Sequence, residues 1–113
     1  MTSNCFKLTA ERIDEIVTQT SAGVYLLDKT SIGTFGVNYV GRADDDVAAR
    51  LKQHAAQGYY KFFKCEYQPT ARAAFDRECE LYHYYPNLDN INHPARPKNT
   101  YYSCPVVGCR TLL

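Results

Sequence analysis

The chain has 113 residues, 45% hydrophobic and 22% charged, which fits one globular domain and excludes a disordered chain. Its formal net charge is +1, so no global field attracts a polyanion, and any nucleic-acid role must rest on a local basic patch. Five scattered cysteines, an odd number, argue against a disulfide framework and for a reducing compartment, and no apolar run is long enough to span a membrane. Residues 1–7 lack the apolar core of a signal peptide, so cytoplasm is the expected location.

In chain order, residues 1–8 read as a short arm or edge strand. Thr9 is a helix cap, and residues 10–18 place Ile13, Ile16 and Val17 on one face. Residues 24–27 and 37–40 then read as two antiparallel strands, rich in aromatic and β-branched residues that suit a half-buried pleat. Residues 30–36, with two glycines, form the turn between them. Asp44, Asp45 and Asp46 open a second helix over 47–57, which stops at Gly58. Val47, Leu51 and Ala55 form its buried stripe. Arg50 and His54, four apart, share a neighbouring face. Arg50 can pair with Asp46 or aim at phosphate.

Residues 59–67 read as a third strand, with Lys61 and Lys64 guarding an edge or touching phosphate. Thr70 caps a long helix over 71–85 that ends at Pro86. Its apolar stripe holds Ala71, Ala74, Phe75, Leu81, Tyr82 and Tyr85, and Glu78 lies inside it. A buried carboxylate without a partner costs several kcal/mol, on the order of 3–5, so Glu78 needs a cation, a hydrogen-bonded partner or a metal. Residues 87–99 are turn-forming, with Arg96 and Lys98 in reach of a backbone phosphate. Residues 101–103 suggest a further edge strand. Cys104 and Cys109 flank a glycine turn and resemble half of a zinc site, with Cys65, Cys79 or His93 as candidates for the other half. No second half is evident in the sequence, so the reading goes against zinc.

Gly23-Val24-Tyr25 and Tyr39-Val40-Gly41, then Arg50 and His54 on one helix, Glu78 on the next and Asn90 beyond it, together resemble the motif series of the GIY-YIG nucleases. Valine replaces isoleucine in both triplets. The likeness covers residues 23–98, and 88–97 is similar to small stand-alone bacterial members. The resemblance implies an α+β fold, a small central antiparallel three-stranded sheet flanked by helices. Residues 1–113 would form one such domain, with 99–113 as a C-terminal extension.

It further implies a metal-dependent endonuclease that hydrolyses DNA phosphodiester bonds with Mg²⁺ or Mn²⁺. Glu78 would be the metal ligand and Tyr25 the base that deprotonates water, its pKa lowered by a nearby cation and metal. Arg50 would stabilise phosphate oxygens, and Tyr39 and His54 would orient water or phosphate. Arg42 would contact the DNA backbone. Asn90 would hold the loop, or a phosphate, near Glu78. DNA is the implied partner, and a homodimer stays open because members that cut both strands often pair. The segment between the triplets is long, and no separate DNA-binding domain is evident. A module that keeps the fold, binds nucleic acid or protein and has lost catalysis is the alternative.

Overall fold

The computed structural model describes residues 1–2, 4–30 and 33–109. Ser31 and Ile32 of the expected turn, and residues 110–113 of the extension, lie outside the described residues. The order of elements is β1 (Phe6–Lys7), α1 (Ala10–Ile16), β2 (Ala22–Asp28), β3 (Tyr39–Ala43), α2 (Val47–Gln57), β4 (Phe62–Gln68) and α3 (Ala71–Tyr84). The class is α+β, as expected.

The sheet has four strands rather than three, in the order β1-β4-β2-β3, with every neighbouring pair antiparallel. The addition is β1, which pairs Phe6 with Phe63 and Lys7 with Phe62. It satisfies part of the outer edge of β4, helped by the Thr2 N–H on the Cys65 carbonyl (2.9 Å) and the Leu8 N–H on the Lys61 carbonyl (2.8 Å). Two residues are too few to show a period of two, so the sequence left this segment as an arm or a strand. β1 pairs only with Phe62 and Phe63 of β4, and the Lys64 side chain turns to an aromatic ring. Its ammonium lies over the Phe35 ring at 5.0 Å, while Lys61 donates to the Gly58 carbonyl at 2.9 Å.

β2 is buried along all 7 of its residues, not half-buried. Tyr25 and Leu27 face one core with Ile13, Val17, Val47, Leu51 and Phe63. Val24 and Leu26 face a second with Val40, Ala74 and Leu81. Helices α1 and α2 thus cover one side and α3 the other. Each large apolar side chain so buried contributes about 2 kcal/mol.

The helix starts follow the expected chemistry. Thr9 accepts from the Arg12 N–H, Asp46 from Ala49 and Thr70 from Ala73, at 3.2, 3.2 and 3.0 Å. Such caps stabilise by about 1 kcal/mol each. Strand β3 begins two residues later than the expected 37, because Asn38 belongs to the connection. Its N–H donates to the Leu27 carbonyl (2.8 Å) and its side-chain oxygen accepts from the Lys29 N–H (2.9 Å). Asp28, buried at the end of β2, accepts from the Thr30 N–H and hydroxyl and from the Gly36 N–H.

Residues 101–103 form no strand. Tyr101 is exposed, and the Arg72 guanidinium lies over the Tyr102 ring at 4.7 Å.

Candidate active site

Strand register sets the site. Antiparallel pairing puts Tyr25 opposite Gly41 and Leu27 opposite Tyr39, so both tyrosines project from the α2 side of the sheet. β3 is the sheet edge. The Tyr25 ring lies across Gly41 so closely that a Cβ there would fall inside it. Gly23 is equally confined, since a Cβ would meet the Glu66 carbonyl oxygen at 2.7 Å and Val47 behind it. The two glycines of the paired triplets therefore answer to packing: one lets α2 start close to β2, the other lets a phenol reach over the sheet edge.

The Tyr25 hydroxyl is 2.9 Å from His54 Nε2 on α2, and the Arg50 guanidinium is near enough to act electrostatically on this phenol. With the imidazole hydrogen on Nδ1, the phenol donates to Nε2. Among the described residues, His54 Nδ1 is the buried side-chain polar atom with no partner. Burial, and then the charge of Arg50, lower the His54 pKa, so the ring is neutral near neutral pH. The Tyr39 ring lies 6.5 Å from that of Tyr25 and 5.3 Å from that of His54.

In the free protein desolvation raises the Tyr25 pKa well above the ordinary phenol value, and Arg50 offsets this only in part; the expected lowering therefore falls to a bound metal. Tyr39 shifts upward for the same reason. Both groups are neutral phenols in the free protein. Arg50 forms no ion pair with Asp46, whose carboxylate caps α2 instead.

From the α3 side of the sheet comes Glu78, 8% exposed. Its partner is Arg42, which alternation on β3 turns toward α3. Arg42 Nη1 donates to Glu78 Oε1 (3.0 Å) and to the Ala95 carbonyl (2.6 Å). Nε and Nη2 donate to the Asp44 carboxylate at 2.6 and 3.4 Å, and the guanidinium lies over the Phe75 ring. The Arg42 donors expected for a DNA backbone are thus engaged by protein groups. Desolvation raises the Glu78 carboxyl to about 7, against the opposing pull of Arg42.

The two sides meet around the edge of β3. A cavity of about 150 Å³ is lined by Tyr25, Tyr39, Gly41, Arg42, Arg50, Glu78 and Ala95. His54 opens instead onto an adjoining depression of about 490 Å³, which shares Tyr39 and Arg50 and adds Gln53, Gln57, Tyr59 and Tyr60. Asn90 holds the loop: its side chain accepts from the Val40 N–H (3.0 Å) and donates to the Val40 carbonyl (2.8 Å). Beside it Asp89 accepts from the Tyr60 hydroxyl and from Lys29. Tyr25, Tyr39, Arg50 and Glu78 thus line one cavity, and His54 lines its neighbour while meeting Tyr25 by hydrogen bond.

Glu78 fits the role of a lone protein ligand for a hard divalent ion. Arg42 engages Oε1, the carboxylate borders a small polar cavity, and an ion held mainly by waters needs few protein oxygens.

A second cluster leans against the reading that disfavoured zinc. Ligand atoms of His83, His93, Cys104 and Cys109 all lie within 4.8 Å of one another, so this group could hold a metal. His93 was a candidate from the sequence. His83 was not singled out there, and Cys65 is buried in the sheet core instead. The local signal was the Cys-x₄-Cys turn. Its partners sit on a helix end and a loop that only the tertiary fold brings near. Asp44 and Asp28, which hold Arg42 and the turn after β2, carry no spacing that would mark them. Comparison with protein-family models, with curated proteins and with solved structures finds no match to this chain.

Proposed function

We propose that the protein is a metal-dependent endonuclease that hydrolyses DNA phosphodiester bonds at the edge of β3. The observation that carries this reading is the cavity in which a buried carboxylate, two phenols and an arginine from opposite sides of the sheet converge.

Glu78 holds Mg²⁺ or Mn²⁺. The bound ion supplies charge for the developing phosphorane and lowers the pKa of water. Arg50 faces the non-bridging phosphate oxygens with a planar fork that suits them. The Tyr25 hydroxyl takes a proton from the attacking water as its own hydrogen passes to His54 Nε2. This relay needs no free phenolate, which accords with the raised Tyr25 pKa and the neutral imidazole. The leaving sugar oxygen takes its proton from solvent. Tyr39 flanks the attacking water. The adjoining depression, with its amides and tyrosines, suits a nucleotide next to the scissile phosphate. Arg42 orients Glu78, and Asn90 fixes the wall of the cavity.

The test is cleavage of plasmid, single-stranded and branched DNA with Mg²⁺, Mn²⁺ or chelator. Wild-type protein should cut in a metal-dependent way and Glu78→Gln should not. Equal cutting by both would overturn the proposal. The Arg42–Glu78 ion pair favours one competing reading, since it satisfies the carboxylate without metal. In that case the fold is a nucleic-acid or protein-binding module, and DNA binds with no turnover under any metal.

A further inference from the structure

We propose that His83, His93, Cys104 and Cys109 bind one structural Zn²⁺, which clamps the C-terminal segment and the loop after α3 onto the last turn of that helix. The proposal is independent of the nuclease reading.

Three of the six ligand-to-ligand distances match a tetrahedral ion before any ion is placed, and all four ligand atoms lie within 4.8 Å of one another. The two Nε2 atoms are 3.2 Å apart, Cys104 Sγ is 3.6 Å from His83 Nε2, and Cys109 Sγ is 3.4 Å from His93 Nε2. Zinc bonded at its usual lengths, about 2.0–2.1 Å to nitrogen and about 2.3 Å to sulfur, requires nitrogens about 3.3 Å apart and N–S pairs about 3.6 Å apart. The donor set selects the metal, since two thiolates and two imidazoles at tetrahedral spacing suit Zn²⁺ rather than Mg²⁺ or Ca²⁺. Two thiolates also balance its charge.

The surroundings are those of a ligand set. His93 Nδ1 is 2.9 Å from the Pro94 carbonyl. A hydrogen there fixes the tautomer and leaves Nε2 bare toward the cluster, the usual arrangement behind a metal-bound histidine. The Cys109 N–H donates to the Val106 carbonyl at 3.1 Å, closing a turn that brings its sulfur back toward Cys104. The Tyr82 ring packs on both imidazoles at 5.3–5.4 Å.

The segment also needs such a clamp. Residues 91–109 contain no helix or strand, and Ile91, Tyr101 and Val107 are more than 90% exposed. Pro94 and Pro97 are the only buried residues of this stretch, yet it carries the Ala95 carbonyl that Arg42 meets at 2.6 Å. A metal joining α3, the loop and the tail would supply the missing cross-link.

The full chain, grown with zinc and purified without a histidine tag, should carry about one zinc per molecule by elemental analysis. Cobalt exchanged into wild-type protein should give the visible absorption of a tetrahedral site with thiolate-to-metal charge transfer. Zinc removal by a strong chelator should lower the melting temperature, and readdition should restore it. The Cys104→Ser/Cys109→Ser variant should hold no zinc. Metal-free wild-type protein with an unchanged melting curve, zinc retained by the double variant, or octahedral cobalt spectra would each overturn the proposal. None of these readouts involves DNA cleavage, so they stand or fall separately from the nuclease test.

Discussion

Burial raises the Glu78 carboxyl to about 7 although the Arg42 guanidinium lies 3.0 Å away. Metal binding needs the carboxylate, so cleavage at limiting metal should rise with pH toward about 7 and fall below it, and saturating metal should move the rise to lower pH. The same shift bears on stability. A carboxyl whose folded pKa exceeds its unfolded value of about 4.3 binds its proton more tightly when folded. Its contribution is therefore present at low pH and lost as pH rises through about 7, on the order of 3 kcal/mol. His54, with a lowered pKa, acts in the opposite sense below about 6.5. Comparison of wild type with Glu78→Gln isolates the glutamate: urea unfolding should show the variant gaining on wild type between pH 5 and pH 8. A constant difference would mean that Glu78 titrates normally. Tyr25→Phe removes the relay and should cut turnover by about 10²-fold or more while the domain stays folded. Single-turnover cleavage with circular dichroism on the same samples measures both.

At the scale of elements, the β2–β3 pair depends on a missing side chain. Gly41→Ala would push a methyl into the Tyr25 ring, and neither the central strand nor the ring held by His54 yields easily. A loss of about 2–4 kcal/mol is expected, readable as a lower urea midpoint. Asn90→Ala deletes both hydrogen bonds to Val40 and should cost about 1–3 kcal/mol. Its effect on cleavage should exceed that on stability, because the loop it ties down carries Ala95 to the cavity wall. Cleavage that follows stability alone would reduce Asn90 to a fold residue.

For the whole molecule, the layering sets an order of stability. β2 is hydrogen-bonded on both sides and buried on both faces, whereas residues 91–109 lack regular structure. Hydrogen exchange should be slowest in β2 and β4 and fastest in the loop and tail. No described helix is long and apolar enough to cross a membrane.

Local chemistry wrote much of this into the sequence. Thr9, Asp46 and Thr70 cap helices because short polar side chains satisfy the free N–H groups that follow them. The 3.6-residue stripe placed Glu78 in an apolar face, and aromatic and β-branched residues marked the β2–β3 pair. Side chains that act through distant partners were not legible. Strand register chose Arg42 as the partner of Glu78 and aimed it away from solvent. Burial, a property of three packed layers, pushed the Tyr25 pKa up where its neighbours alone suggested down. Chain folding brought His83 within reach of Cys104, 21 residues on. Periodicity and capping act over one or two turns of chain, whereas desolvation and convergence exist only once the layers have closed.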